Sequence, residues 1–190
     1  MKKLALMAGA AALLAGQAVA SEGFYAGIQY SNNTVKEKED GVSVSVDLGV
    51  LGVLAGYQFH ENFALEGRFG TGVKDKKWRE DGYSDTFSAG NSYGLYAKGI
   101  VPLSQEFSLY GVAGYAHTKY KWKEVGQGWS DQGSFSSKGL SYGVGGEFAF
   151  SPQLSVTLEY VHLPTKKLQE DGWEFKLRSS NVALGVNYRF

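Results

Sequence analysis

The chain has 190 residues, with 19 Lys and Arg against 19 Asp and Glu, no Cys, and 26 Gly, 12 Tyr and 11 Phe beside only three Pro. Balanced charge removes the electrostatic footprint of a nucleic-acid-binding domain, and the lack of Cys removes disulfide staples, thiolate metal sites and a lipidated N-terminal Cys. A mean hydropathy of −0.24 excludes a bundle of membrane helices, and the length suits one domain.

The N-terminus reads as an export leader. Lys2 and Lys3 form a basic start, residues 4–14 are apolar, and Ala18-Val19-Ala20 supplies small residues for cleavage after Ala20. The apolar run is shorter than the roughly 20 residues that span a bilayer as a helix. The expected division is therefore a signal peptide over 1–20 and a barrel domain over 21–190. Losing Lys2 and Lys3 takes the basic count from 19 to 17 against 19 acids, which leaves the mature chain close to neutral.

From Phe24 onward, apolar residues recur at every second position. Phe24, Ala26, Ile28 and Tyr30 share one face of a first strand; Val53 to Phe59 and Phe63 to Phe69 repeat the pattern. Tyr93 to Val101, Phe107 to Tyr115, Leu140 to Phe148 and Leu154 to Tyr160 follow. The last strand puts Val182, Leu184, Val186, Tyr188 and Phe190 on one face, with Asn181, Ala183, Gly185, Asn187 and Arg189 between them. Each of these roughly eight strands approaches the 9–11 residues that cross a bilayer as a tilted strand.

Connections alternate in length. Short ones fall at 60–62, 102–106 and 151–153; long polar ones fall at 33–45, 72–91, 118–138 and 162–176. This predicts an all-β fold, an antiparallel eight-stranded transmembrane β-barrel with short periplasmic turns and four longer extracellular loops. A soluble lipocalin-type barrel would turn its apolar face inward, but the interleaved residues are mainly Gly, Ser, Gln and charges rather than a second apolar set. Three long connections carry Glu-Asp-Gly, at 39–41, 80–82 and 170–172, and Asp-Gly is favoured at hairpin tips. Loops one, two and four are therefore expected to be extended strand pairs.

Candidate functional residues divide by face. Glu66, Arg68, Lys98, Glu147 and Glu159 have inward parity and are expected to form a buried charge network that plugs the lumen. All four Trp, namely Trp78, Trp122, Trp129 and Trp173, lie in long connections with Lys77, Arg79, Lys121 and Arg178 nearby. Aromatic rings and cations together suit a lipopolysaccharide-facing rim, expected for Lys119, Lys121, Trp122 and Arg178, or contacts to an external ligand. His60, His117 and His162 lack metal-ligand spacing and read as interfacial residues. No metal or cofactor is expected.

Taken with Gly23 to Gly27, Leu109 to Tyr115, Leu154 to Tyr160 and the ending Leu184 to Phe190, the chain resembles the small outer-membrane β-barrel superfamily that includes the OmpA transmembrane domain, OmpX and Ail. The resemblance covers essentially all of the mature chain and implies residence in the outer membrane. It also implies that the barrel assembly machinery recognises the aromatic terminus, Tyr188 and Phe190, and that charges are kept inside the barrel. No peptidoglycan-binding domain is expected after the barrel. The loops do not obviously match those through which Ail-like proteins adhere.

The expected function is a monomeric, non-enzymatic barrel with a structural and surface-interaction role, contacting outer-membrane lipid and lipopolysaccharide, with a host or phage surface molecule as external ligand. The alternatives are a narrow ion channel and a lipid A-modifying enzyme. Barrels of similar size include lipid A deacylases, but His162 is followed by Leu163 and Pro164 and shows no His-x-Ser signature.

Overall fold

The computed structural model describes residues 22–39, 42–170 and 173–190. The expected signal peptide and the tips at Asp40-Gly41 and Asp171-Gly172 lie outside these residues. Nine strands follow in chain order: β1 (Gly23–Glu39), β2 (Val42–His60), β3 (Phe63–Lys74), β4 (Lys76–Glu80), β5 (Tyr83–Pro102), β6 (Phe107–Gly126), β7 (Trp129–Ala149), β8 (Leu154–Glu170) and β9 (Trp173–Arg189). All pairings are antiparallel.

The sheet closes on itself. β1 pairs with β2 on one side and β9 on the other, β3 pairs with both β2 and β5, and the ring runs on through β6, β7 and β8. The expected count of eight becomes nine because the third strand breaks at Asp75: β3 and β4 both lie against β5, and β4 pairs with it alone. At the seam, Tyr25 pairs with Arg189 and the register continues to Lys38 opposite Lys176. The Phe190 N–H donates to the Phe24 carbonyl at 3.0 Å, tying down the chain end.

Faces follow the alternation. Ile28, Leu95, Val144, Leu158 and Leu184 are each more than half exposed, and the outer surface is apolar over the band they occupy. An apolar exterior of this kind is stable only against lipid, because such a patch in water favours aggregation. Aromatic pairs mark both ends of the band: Phe24 with Tyr57 and Tyr188 with Phe190 at the short-turn end, Tyr93 with His117 and Tyr142 with His162 at the other.

Two short turns use one device. Ser104 Oγ accepts the N–H groups of Glu106 and Phe107, and Ser151 Oγ accepts those of Gln153 and Leu154. A local side-chain acceptor satisfies the backbone donors and fixes a tight reversal.

The long connections differ from expectation at one place. β6 and β7 pair without interruption from Phe107 opposite Phe148 to Gly126 opposite Trp129, so the third connection is also an extended hairpin, turning at Gln127 and Gly128 (φ +81°). The second turns at Asp81 and Gly82 (φ +76°), as the Asp-Gly signal implies. With 20 residues in β5 and β6 and 21 in β7, these strands are about twice the length a bilayer crossing needs.

The interior also holds an apolar set that the alternation alone does not show. Tyr25, Leu54 and Ala64 form one cluster, Tyr96, Tyr110, Val112, Ala116, Val161 and Leu163 a second, and Val35, Leu48, Val50, Ala89 and Tyr120 a third. Large inward rings fit because a glycine stands opposite. Tyr25 pairs with Gly56 and Tyr110 with Gly145, and a Cβ built at either glycine would enter the facing ring. G56V and G145V are expected to lower the unfolding free energy by about 1–3 kcal/mol through overpacking. G99V, where an added Cβ meets nothing within 4 Å, is expected to be neutral. Urea unfolding of the refolded barrel in lipid vesicles checks all three.

Candidate functional site

The five predicted interior charges converge. Glu66 and Arg68, two apart on β3, point the same way, and the Arg68 Nε–H donates to Glu66 Oε1. The other edge of the guanidinium reaches across the lumen to β8, where Nη1 and Nη2 contact Glu159 Oε1 and Oε2 at 2.6 and 2.8 Å. One planar cation thus bridges two carboxylates, a geometry that a Lys ammonium lacks. Tyr25 donates its hydroxyl to Glu66 Oε2 at 2.8 Å, and the Tyr96 ring lies 4.5 Å beneath the Arg68 guanidinium carbon.

A second pair sits nearer the short turns. Lys98 Nζ contacts Glu147 Oε2 at 3.0 Å, Ser155 Oγ donates to Glu147 Oε1 at 2.7 Å, and the ammonium lies 4.0 Å from the Tyr110 ring centre. Glu66, Lys98 and Glu159 are all buried. Carboxylates removed from water need this many partners to remain charged. Beyond Arg68 the lumen keeps a cavity of about 40 Å³, room for a few waters, where Gln29, Ser31, Asn33, Thr118 and Asn181 share the lining with Val50 and Leu163.

Beyond the apolar band, on the side away from the short turns, the continuation of β4 to β7 forms a wall whose two faces differ in charge. Register places Lys77 and Arg79 (β4), Ser84, Thr86 and Ser88 (β5), Lys119, Lys121 and Lys123 (β6), and Gln132, Ser134 and Lys138 (β7) on the outer face. Over these described segments that face carries no carboxylate. The inner face carries rings and acids in rows. Phe87, Trp122 and Gly133 lie side by side, then Trp78, Asp85, Glu124 and Asp131, then Glu80 and Tyr83 on β4 and β5 with Gly126 and Trp129 on β6 and β7.

The predicted loop residues therefore divide. Lys77, Arg79, Lys121 and Arg178 are exposed on the outer face, Arg178 beside Lys36 across the seam. Trp78 and Trp129 have inward parity. Trp122 does too and is only half-exposed, its ring occupying the space above Gly133, so it is not the rim anchor expected for it: it shares a face with the buried Tyr120. Trp173 starts β9, and its side chain lies outside the description. The signal that reveals this split is the same period-two alternation, continued past the last lipid-facing residue.

The Tyr83 phenol is held above its ordinary range by desolvation and by the neighbouring Glu124 and Asp85 carboxylates, a sign of the negative potential on the inner face. All three His lie beside aromatic rings: His60 by Phe63, His117 on Tyr93 and His162 by Tyr142. Among the described residues no three His, Asp or Glu side chains converge on a metal-sized point.

Removing the Arg68 cation leaves two buried carboxylates facing each other. R68M is expected to lower unfolding stability by about 3–5 kcal/mol, and the E66Q/R68M/E159Q combination to recover most of that loss. Urea titration in lipid vesicles, followed by Trp fluorescence, separates the two: equal losses would show that the R68M penalty does not come from leaving the two carboxylates unpaired.

Comparison with known proteins agrees with this geometry. The chain is 27% identical over 219 aligned positions to outer membrane protein P5 of Haemophilus influenzae, an alignment covering 100% of this chain and 61% of that protein. The chain thus spans about three-fifths of the length of that curated relative. Among solved structures, Ail of Yersinia pestis in complex with the heparin analogue sucrose octasulfate superposes with a TM-score of 0.57 at 21% identity, covering 88% of this chain and 99% of Ail. Neisserial surface protein A gives 0.58 at 15% identity, covering 88% and 97%. The outer membrane protease OmpT of Escherichia coli gives 0.54 at 12% identity, covering 93% and 100%. The model of the outer membrane protein beta-barrel domain family matches residues 4–190, nearly the whole sequence. With its apolar exterior, closed seam and ion-paired lumen, the chain belongs to the outer membrane protein β-barrel domain family and resides in the outer membrane.

Proposed function

We propose that the barrel is a non-catalytic surface protein that grips the phosphorylated saccharides of lipopolysaccharide with the outer face of its extracellular wall. The observation that carries this reading is the row Lys119, Lys121 and Lys123, exposed at every second position of β6 just beyond the Tyr93 and His117 pair. Ser88 and Ser134 stand opposite Lys121, and Thr86 and Gln132 opposite Lys123, so hydroxyl and amide donors flank the cations. Ammonium groups at this height meet headgroup phosphates, and each such contact contributes on the order of 1 kcal/mol near an anionic surface. The sulfated sugar bound by Ail supports the same ligand chemistry, a polyanionic saccharide, for external partners.

Residues 1–20 act as the export leader in this reading, and residues 21–190 form the barrel delivered to the assembly machinery with Tyr188 and Phe190 at its terminus. The ion-paired lumen is a structural plug. Planar bilayers containing the protein are accordingly expected to stay silent, and lipid A from expressing cells to keep its mass.

Adding purified lipopolysaccharide to the detergent-solubilised barrel is expected to raise its unfolding temperature. K119Q/K121Q/K123Q should lose most of that rise, and salt should suppress it in the parent chain. A full rise retained by the triple variant would overturn the assignment.

A further inference from the structure

We propose that the inner face of the β4 to β7 wall docks a basic polypeptide segment, whose Lys or Arg side chains enter a row of carboxylates flanked by aromatic rings. Asp85 stands directly opposite Glu124, and Glu124 directly opposite Asp131, so three acids lie side by side across β5, β6 and β7. Directly opposed residues in an antiparallel sheet have Cβ atoms about 4.5–5.5 Å apart, and like charges there oppose folding. No ion pair among the described residues offsets this row; the three that occur are all in the lumen.

Rings on the sheet face around the row are exposed. Trp78, Tyr83 and Trp129 are each more than a third exposed, and Tyr83 and Trp129 pair with ring centres 6.2 Å apart on the side of the row nearer the tips. Phe87 and Trp122 line its other side. Rings beside carboxylates suit a guanidinium or ammonium group, which gains a cation–π contact together with an ion pair. Lys76 already shows the first half of this contact, its ammonium 5.9 Å from the Trp78 ring centre.

Charge selects the occupant. The outer face repels a basic chain and the inner face attracts it, so a cationic segment is steered to one side of the wall. A divalent metal ion fits less well, since no three acidic groups among the described residues converge on one point. Carboxylates spread along a sheet row match charges spaced along an extended peptide, one strand spacing apart.

The test uses the full chain in detergent, free of lipopolysaccharide, and a fluorescent oligoarginine peptide read by anisotropy. Saturable binding that weakens with salt is expected. D85N/E124Q/D131N should weaken it at least about tenfold, W129A about two- to fivefold, and K119Q/K121Q/K123Q should bind no more weakly than the parent chain. Heat-dependent gel mobility reports folding of every variant; should the triple amide variant not fold, D131N and W129A probe the same face. Unchanged binding by the acid-face variants, or equal binding of an oligoglutamate peptide, overturns the proposal. So does stoichiometric calcium uptake lost in D85N/E124Q/D131N, which would make the row a metal site. Self-association abolished by K121Q would instead make the occupant a second copy, and peptide binding seen only in K166Q/K167Q would make it this chain's own basic segment.

Discussion

In hydrocarbon no water is available to satisfy a backbone N–H or carbonyl, so a sheet that crosses a bilayer must have no edge. The pairing of β1 with β9 meets that requirement, and the rest of the molecule depends on it. Once the sheet is a ring, each residue has only two environments, lipid outside or a narrow lumen inside. The outward set can then be Ile28, Leu95 and Leu184, large and exposed, without an aggregation liability. The inward set must fill a small cylinder and neutralise whatever charge it holds. Arg68 bridging Glu66 and Glu159 does both, because its planar fork reaches across the lumen and places donors on two acids at once.

Past the membrane the same alternation continues under different rules. Neither face touches hydrocarbon, so neither need be apolar, and the strands could have carried any solvated mixture. Instead the cations of β4 and β6 collect outside, and the acids of β5, β6 and β7 collect inside with most of the rings. Lys76 is the exception, lying on the inner face beside Trp78. Such segregation costs stability where carboxylates are neighbours, and the barrel below, anchored by its closed ring and its ion pairs, is rigid enough to bear that cost.

Much of this was legible in the residues. The terminal run from Val182 to Phe190 announces a lipid-facing strand, and counting parity from each apolar run assigns Glu66, Arg68, Lys98, Glu147 and Glu159 to the inner face, where the structure has them ion-paired. What failed was the treatment of strand ends. Apolar alternation stops near His117 because lipid stops there, while the hydrogen-bonded ladder runs on to Gly126. Taking the end of one for the end of the other made 118–138 a polar loop and Trp122 a rim residue. The Tyr25 with Gly56 and Tyr110 with Gly145 pairs were hidden for another reason: a ring and the glycine it covers lie on different strands, and only the register brings them together. The break at Asp75 has no clear warning in the surrounding residues.

Register is therefore the quantity that turns this sequence into surfaces. A slip of one residue in β6 relative to its neighbours would exchange its faces, sending Lys119, Lys121 and Lys123 inward and Trp122 and Glu124 outward. Within the membrane, burying charge or exposing it to lipid penalises such a slip heavily. In the extension above, solvent makes both arrangements tolerable, and the constraint must come from elsewhere. It comes from both ends of the β6–β7 hairpin: the lipid-embedded ladder below, and above it the turn at Gln127 and Gly128, where a positive φ that glycine adopts without strain closes the reversal in two residues. Two backbone features, one at each end, decide which chemistry the wall shows to the membrane and which it keeps for the mouth of the barrel.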